Sequence, residues 1–372
     1  MRNKNRLINR FIEYVKIDSE SYNEKNFADR LFKDLIELGF EVNYDDAGEK
    51  IGSNCKGNII AKLKGTVEGE TVLFSGHMDT VTPGVGIKPI IKDDMICTNG
   101  TTILGGDDKA GIAGILEAIL TLKENKEDYP SIELVFTVAE EVGLLGSKNL
   151  DYSKITAKKA FILDSSGDIG VVTIQGPAQD NLKVKILGKP AHAGVAPETG
   201  ISAIQIAASA ISNMKLLRID KNTTANIGTI NGGKVTNIVC PEVMIEAEAR
   251  STVEESLDLQ TKHMVDIFTK FVNEAGGQIE IKVTRSYGAF SVNEDNKIIE
   301  HMKKACSKVD LPMKLVASGG GSDTNIFNGK GIIAINLASG ERKPHTLEEH
   351  IFIKDLLNIS EIVKAIITTA IY

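Results

Sequence analysis

The chain has no tryptophan and only four cysteines in its 372 residues. Cys55, Cys97, Cys240 and Cys306 lie far apart with no CxxC pair, which excludes a disulfide framework and a sulfur-ligated zinc site and suits a reducing cytoplasm. Long apolar runs are missing too. No window approaches the roughly 18 apolar residues of a membrane span, and the nearest, GIAGILEAIL, carries Glu117. The first residues place Leu7, Ile8, Phe11, Ile12 and Val15 at helical spacing among charges, where a secretory signal needs an uninterrupted apolar stretch, so an amphipathic helix is expected. Nor is there an excess of base. With 43 basic against 50 acidic side chains the net charge is −7, which excludes a surface built to coat nucleic acid or anionic lipid.

What is present is ordinary globular composition, 42% apolar and 25% charged, in a length that suits two domains or one large one. Ser21 and Glu24 have the spacing of a capping box ahead of Phe27, Leu31, Leu35 and Ile36, with Gly39 as the C-terminal stop. Strands GNIIAKL and TVLFSG, a helix from Lys109 to about Lys123, and strands IELVFTV and AFILD then alternate as in an α/β layer fold. Beyond Gly176 the order becomes strand, helix, strand, strand, helix, strand, the ferredoxin-like split arrangement, so 178–288 reads as an inserted domain within a body of 1–177 and 289–372. The Gly/Pro/Ser clusters near residues 176 and 288 are the linker signals. A helix over 294–309, the strand IIAINLA and a final helix over 351–371 return to the first texture.

Several segments carry residues fit for chemistry. FSGHMDTV ends an apolar strand in His77 and Asp79, two residues apart and therefore on one side of an extended chain, as a metal ligand and its orienting carboxylate would be; a core histidine beside a turn aspartate fits equally. In LGGDDKAG, Asp107 and Asp108 stand at a helix start, where capping explains at least one of them, Asp108 foremost. Gly105 and Gly106 permit the torsions needed to turn Asp107 back toward the strand ends. VFTVAEEVGLLGS closes a strand in adjacent acids, Glu140 and Glu141. Neighbours on a strand point opposite ways, so two acids serving one site require the strand to break there. FILDSSGD again runs an apolar strand into an acid, Asp164, at the edge where open α/β sheets bind ligands. Late in the chain, PHTLEEH offers His345 in a loop, while His350 has the wrong spacing for a zinc helix and is discounted. His77, Asp107, Glu141, Asp164 and His345 make a sulfur-free donor set suited to two zinc, cobalt or manganese ions, and Glu140 is the carboxylate left to handle a proton.

SGHMDT, GGDDKAG, AEEVGLLGS, ILDSSG and PHTLEEH, in this order over nearly the whole chain, resemble the dinuclear-zinc exopeptidase family of peptidase T, dipeptidases, carboxypeptidases and aminoacylases, most closely its peptidase T-like branch. The resemblance implies a mixed sheet flanked by helices with an inserted ferredoxin-like lid. It implies that His77 and Asp164 bind one metal, Glu141 and His345 the other, and that Asp107 bridges them, with Asp79 orienting His77 and Glu140 as general base. It further implies that His192, in GKPAHAG, contacts the reacting carbonyl, and that Asn237 and the GGGSDTN loop, with Gly320 and Ser322, contact substrate. Arg250 stands in an alternating strand, where it could meet a peptide carboxylate or pair with an adjacent glutamate. The 30 residues from His77 to Asp107 are fewer than in tripeptidases and resemble the wider family.

The expected activity is therefore metal-dependent hydrolysis of short peptides from the amino end. N-acyl amino acid hydrolysis or carboxypeptidase action is the alternative within the same chemistry, and a non-catalytic peptide or metal binder the alternative outside it. A homodimer through the inserted domain is the expected assembly, since its sheet has edges open to pairing. GTINGGKV matches a phosphate-binding loop as far as Lys234, but Val235 occupies the hydroxyl position and no helix follows, so nucleotide hydrolysis is excluded.

Overall fold

The computed structural model describes residues 4–371, so the first three residues of the amphipathic N-terminal stretch lie outside the described set. Two compact units emerge: one comprises the chain up to Ile174, Ser291–Ala317 and the segment from Ser322 onward; the other comprises Gln175–Phe290 and Ser318–Gly321.

The first unit opens with α1 (Lys4–Val15), which buries Leu7, Ile8, Phe11, Tyr14 and Val15 along one face. Helix α2 (Lys25–Glu37) buries Phe27, Ala28, Leu31 and Leu35 at i, i+4 spacing and ends before Gly39, whose φ of 85° only glycine adopts freely. Its start differs from the expectation: Ser21 and Glu24 form no capping box, Ser21 donating to Asp79 and Glu24 accepting from Ala139 N–H, and it is Asn54 Oδ1 that accepts from the Lys25 N–H at 3.1 Å. Strands β1 (Glu41–Tyr44), β2 (Ile59–Leu63) and β3 (Val72–His77) follow, then a small hairpin of β4 (Ile90–Lys92) and β5 (Met95–Cys97). Helix α3 (Gly106–Asn125) is buried almost all round. Its one acid inside the apolar run, Glu117, is fully buried and accepts from the Arg6 guanidinium of α1 at 2.8 Å. Strands β6 (Ile132–Thr137), β7 (Lys159–Ser165) and β8 (Val171–Gly176) complete this half.

The second unit holds β9 (Ala178–Leu187), α4 (Ala203–Ser212), the short β10 (Leu217–Arg218), β11 (Thr223–Gly232), β12 (Glu242–Ser251), α5 (Glu254–Ala275) and β13 (Gln278–Tyr287). Its sheet runs β10-β11-β12-β9-β13 and is antiparallel throughout, which is the ferredoxin-like order. Alternate residues of β9 (Leu182, Val184, Ile186) and β12 (Val243, Ile245, Ala247) meet Leu257, Met264, Phe268 and Val272 at helical spacing on α5, so one face of this sheet is a closed core.

On the return, the first unit gains α6 (Lys297–Lys308), α7 (Asp323–Gly329), β14 (Ile333–Ala338), the pair β15 (Glu341–Arg342) and β16 (His350–Phe352), and α8 (Ile353–Thr369). The main sheet then reads β1-β2-β6-β3-β7-β14-β8, with β6, β3, β7 and β14 mutually parallel in the middle. Buried on both faces, these strands carry near-continuous runs of buried residues, every residue of β3 and β6 among them, rather than alternation. β16 also pairs with β5, closing a four-stranded sheet β15-β16-β5-β4. Among the described residues no helix is long and apolar enough to cross a membrane.

Helix α3 packs on α8 through Gly114, where a Cβ would fall 2.2 Å from Ile359 Cγ2. Gly114→Ala gains about 1 kcal/mol of helix propensity and loses about 1–3 kcal/mol to overpacking. The expected outcome is a lower Tm and a lower denaturant midpoint; an unchanged or higher Tm would show that this contact is loose.

Candidate metal centre

Three adjacent parallel strands, β6, β3 and β7, deliver their carboxyl ends to one edge of the sheet, and chemistry-bearing side chains collect there. His77 is the last residue of β3 and Asp164 lies next to the end of β7. Glu140 and Glu141 follow β6 in a turn where Ala139 takes φ 49°, the break that two neighbouring acids need in order to serve one site. Asp107 enters from the start of α3, where Gly105 has φ 71° and neither Asp107 nor Asp108 has helical torsions; the peptide bond between the two aspartates is cis. His345, at φ 61°, belongs to the turn joining β15 to β16.

The five side chains converge. His77 Nε2 lies 3.1 Å from Asp107 Oδ1 and 3.6 Å from Asp164 Oδ1. His345 Nε2 lies 3.2 Å from Asp107 Oδ2 and 3.0 Å from Glu141 Oε1. Asp107 thus gives one oxygen to each imidazole, and each imidazole has a second carboxylate of its own. Donor atoms of His77, Asp107 and Glu141 lie within 4.8 Å of one another, as do those of His77, Glu140 and Asp164. His77 is buried, whereas His345 is about half exposed, so the cluster opens to solvent on the His345 side.

Electrostatically the cluster is starved of positive charge. Burial, with the Asp164 carboxylate beside it, pushes the Glu140 carboxyl far above the usual range, and burial with contributions from Asp107 and Glu141 lifts Asp164 to about 7. Burial also raises Glu141. Contact with Asp107 and Glu141 raises His345 to about 10. Burial opposes charging of His77, yet Asp107, Asp164 and Asp79 around it raise it well above the ordinary imidazole value.

Other acids hold the loops that carry these groups. Asp79 accepts from the backbone N–H of Glu140 at 2.9 Å and of Glu141 at 3.2 Å, and from Ser21 Oγ at 2.7 Å. It orients His77 chiefly through its own carbonyl, 2.9 Å from Nδ1, with its carboxylate at 3.4 Å. Glu24 accepts from Ala139 N–H at 2.9 Å, and Asp323 accepts from Thr137 and Ser147 on either side of the same turn. Asn336 of β14 brackets Asp164, donating to its carbonyl at 2.7 Å and accepting from its N–H at 3.0 Å. Glu349 accepts from four successive N–H groups, Leu104 to Asp107. Sequence reasoning missed Glu24, Asp323, Asn336 and Glu349 in these roles. For Glu349 the available signal was an acid four residues beyond His345.

One expectation changes. Asp108 is not a cap: it is buried against Gly76 and Gly111, neither of its carboxylate oxygens has a hydrogen-bond partner among the described residues, and burial pushes its carboxyl far up. Ser322 caps α7 in a capping box with Asn325 and also accepts from Asn336, so its hydroxyl and N–H are already engaged. Gly320 N–H donates to Ser318 Oγ at 3.0 Å. Arg250 makes a two-point contact with Glu248 at 2.9 Å per bond, the ion-pair alternative. In the second unit His192 and Asn237 fall on neighbouring segments: His192 bridges to Ile238 and the Asn237 carbonyl accepts from Ala193 N–H. Both side chains are exposed.

Residues 73–369 match the model of Peptidase family M20/M25/M40. The crystal structure of aminopeptidase PepT from Bacillus cereus ATCC 10987 is 45% identical, covers 99% of both chains and superposes with a TM-score of 0.92. A tripeptidase from Staphylococcus aureus subsp. aureus Mu50 is 41% identical over 100% of this chain and 99% of its own, with a TM-score of 0.94. Peptidase T of Vibrio cholerae serotype O1 strain ATCC 39541 is 26% identical over 94% of each chain.

Carboxylates this crowded predict stabilisation by divalent cations. Zinc, cobalt or manganese at 100 times its dissociation constant is expected to stabilise the folded chain by about 2.7 kcal/mol, seen as a higher Tm, and Asp164→Asn should blunt the rise. A Tm indifferent to all three ions would contradict the electrostatic reading.

Proposed function

The chain belongs to peptidase family M20/M25/M40, and on that footing we propose that it is an aminopeptidase that removes the first residue of short peptides, di- and tripeptides foremost, with two divalent ions held by His77, Asp107, Glu141, Asp164 and His345. The observation that carries this reading is the division of the Asp107 carboxylate between two imidazoles, each with a second acid at 3.0–3.6 Å. The donor set fits the ions: nitrogen and oxygen ligands without sulfur suit zinc, cobalt or manganese. Asp164, Glu140, Glu141 and both imidazoles are raised in pKa, while Asp107 between the two imidazoles is lowered, the pattern of a carboxylate cluster short of the positive charge that two dications bring. His77 and Asp164 would hold one ion, Glu141 and His345 the other, with Asp107 between them. The names of the Bacillus cereus and Staphylococcus aureus relatives support the aminopeptidase and tripeptide assignments.

When bound, the ions would supply Lewis acidity, polarising the scissile carbonyl and making water acidic near neutrality. The chain's own residues do the rest. Glu140, buried beside Asp164 and not required as a ligand, takes the proton of the attacking water at a carboxylate oxygen and delivers it to the departing amine. Asp79 keeps Glu140 and Glu141 in register by holding both of their N–H groups. His77, buried with Nδ1 tied to the Asp79 carbonyl, presents Nε2 to Asp107 and Asp164. Four free cysteines accord with action in a reducing cytoplasm.

Protein stripped of metal and reloaded with zinc, cobalt or manganese should release the first residue of an unblocked tripeptide and leave its N-acetylated form intact. Cleavage of the acetylated form or release from the carboxyl end would assign an amidohydrolase or carboxypeptidase instead. Two bound ions with no turnover of any peptide or acyl amide would make the chain a binder. Glu140→Gln is expected to keep both ions while losing a factor of about 10²–10⁴ in kcat; an unchanged kcat would remove Glu140 from the reaction.

A further inference from the structure

Glu349 stands outside the ligand set, yet it is the best-connected carboxylate around it. It is 2% exposed, and its Oε2 accepts from Leu104 N–H at 2.7 Å and Gly105 N–H at 2.9 Å, while its Oε1 accepts from Gly106 N–H at 2.7 Å and Asp107 N–H at 3.2 Å. Four donors on two oxygens use its lone pairs fully. These donors precede the regular part of α3, since Asp107 and Asp108 are non-helical, so the contact fixes the loop rather than the helix. The same short segment carries His345: β15 pairs with β16 across a turn that contains His345, Glu349 immediately precedes β16, and the Glu349 N–H returns to the Thr346 carbonyl at 3.1 Å. One segment therefore supplies an imidazole and clamps the loop bearing the carboxylate that faces it, at 3.2 Å.

We propose that Glu349 is a positioning residue that locks the loop of Asp107 to the turn of His345, so that Asp107 presents one oxygen to each of the two cation positions. This rests on the two-ion reading given above. Glutamine in its place keeps the shape but offers one acceptor oxygen, and its amide hydrogens face the N–H groups that the other oxygen served. The Asp107 loop then loses its fixed seat while all five ligands and Glu140 are retained. A residue that merely stabilised the fold would lower Tm without touching ion affinity.

The test is a cobalt(II) titration of the full chain, followed by absorbance and by competition with a chelator, alongside kcat, KM and thermal unfolding. Wild type is expected to take two ions. E349Q should bind the weaker ion at least about tenfold less tightly, with a changed cobalt spectrum, and at saturating cobalt should lose at least about tenfold in kcat with KM little altered. E349Q with wild-type affinity, spectrum and kcat, and only a lower Tm, would overturn the proposal. If E349Q fails to fold, G106A carries the test, because a Cβ there would stand 3.1 Å from Glu349 Oε1 and shift it by a few tenths of an ångström; weaker binding of the same ion is expected, and wild-type affinity would overturn the proposal. Failure of both variants to fold would assign Glu349 to folding alone and overturn the proposal. A wild type that binds no cobalt would instead overturn the two-ion reading itself.

Discussion

Mutual repulsion among buried carboxylates is the constraint around which this molecule is arranged. Asp107, Glu140, Glu141 and Asp164 meet at one edge of the main sheet with only two imidazoles between them. In water such groups would separate. Here the parallel strands β6, β3 and β7 end side by side, and burial on both sheet faces prevents any one of them from sliding away from its neighbours. Backbone energetics thus hold together what electrostatics pushes apart, and the cluster that results favours cations.

A second tier of acids makes this possible. Glu24 and Asp79 take the three successive N–H groups of Ala139, Glu140 and Glu141, and Glu349 takes the four from Leu104 to Asp107. Loops that turn their side chains toward a site leave their amides pointing elsewhere, and a buried amide without a partner is costly. Carboxylates satisfy them strongly and at fixed positions. The site is consequently surrounded by more carboxyl groups than its ligands alone supply, and burial together with Asp107 pushes one of them, Glu341, far above the usual carboxylate range.

Much of this was legible in the sequence because it follows local rules. Apolar strands running into His77 and Asp164, the glycines before Asp107 and the broken strand at Glu140 and Glu141 are read from periodicity and backbone freedom. The strand and helix order of the ferredoxin-like unit could be read from its alternation. The outer acids could not be read in this way. Ser21 and Glu24 have the spacing of a capping box, yet Ser21 donates to Asp79 and Glu24 accepts from Ala139 N–H and Ser53 Oγ, and these tertiary contacts outweighed the local signal. Asp108 resembled a cap for the same reason and is buried between two glycines instead. The helix start at Ser322, whose hydroxyl accepts from Thr324 N–H, was likewise not read from the run of glycines that precedes it.

The central claim is that Asp107 stands between two cations. Crystals grown with zinc, cobalt or manganese and measured on either side of the metal's absorption edge test it most directly. The account predicts two anomalous peaks about 3.5–4 Å apart, one beside His77 and Asp164 and the other beside His345 and Glu141, with Asp107 touching both. A single peak, or two peaks that Asp107 does not join, would contradict it.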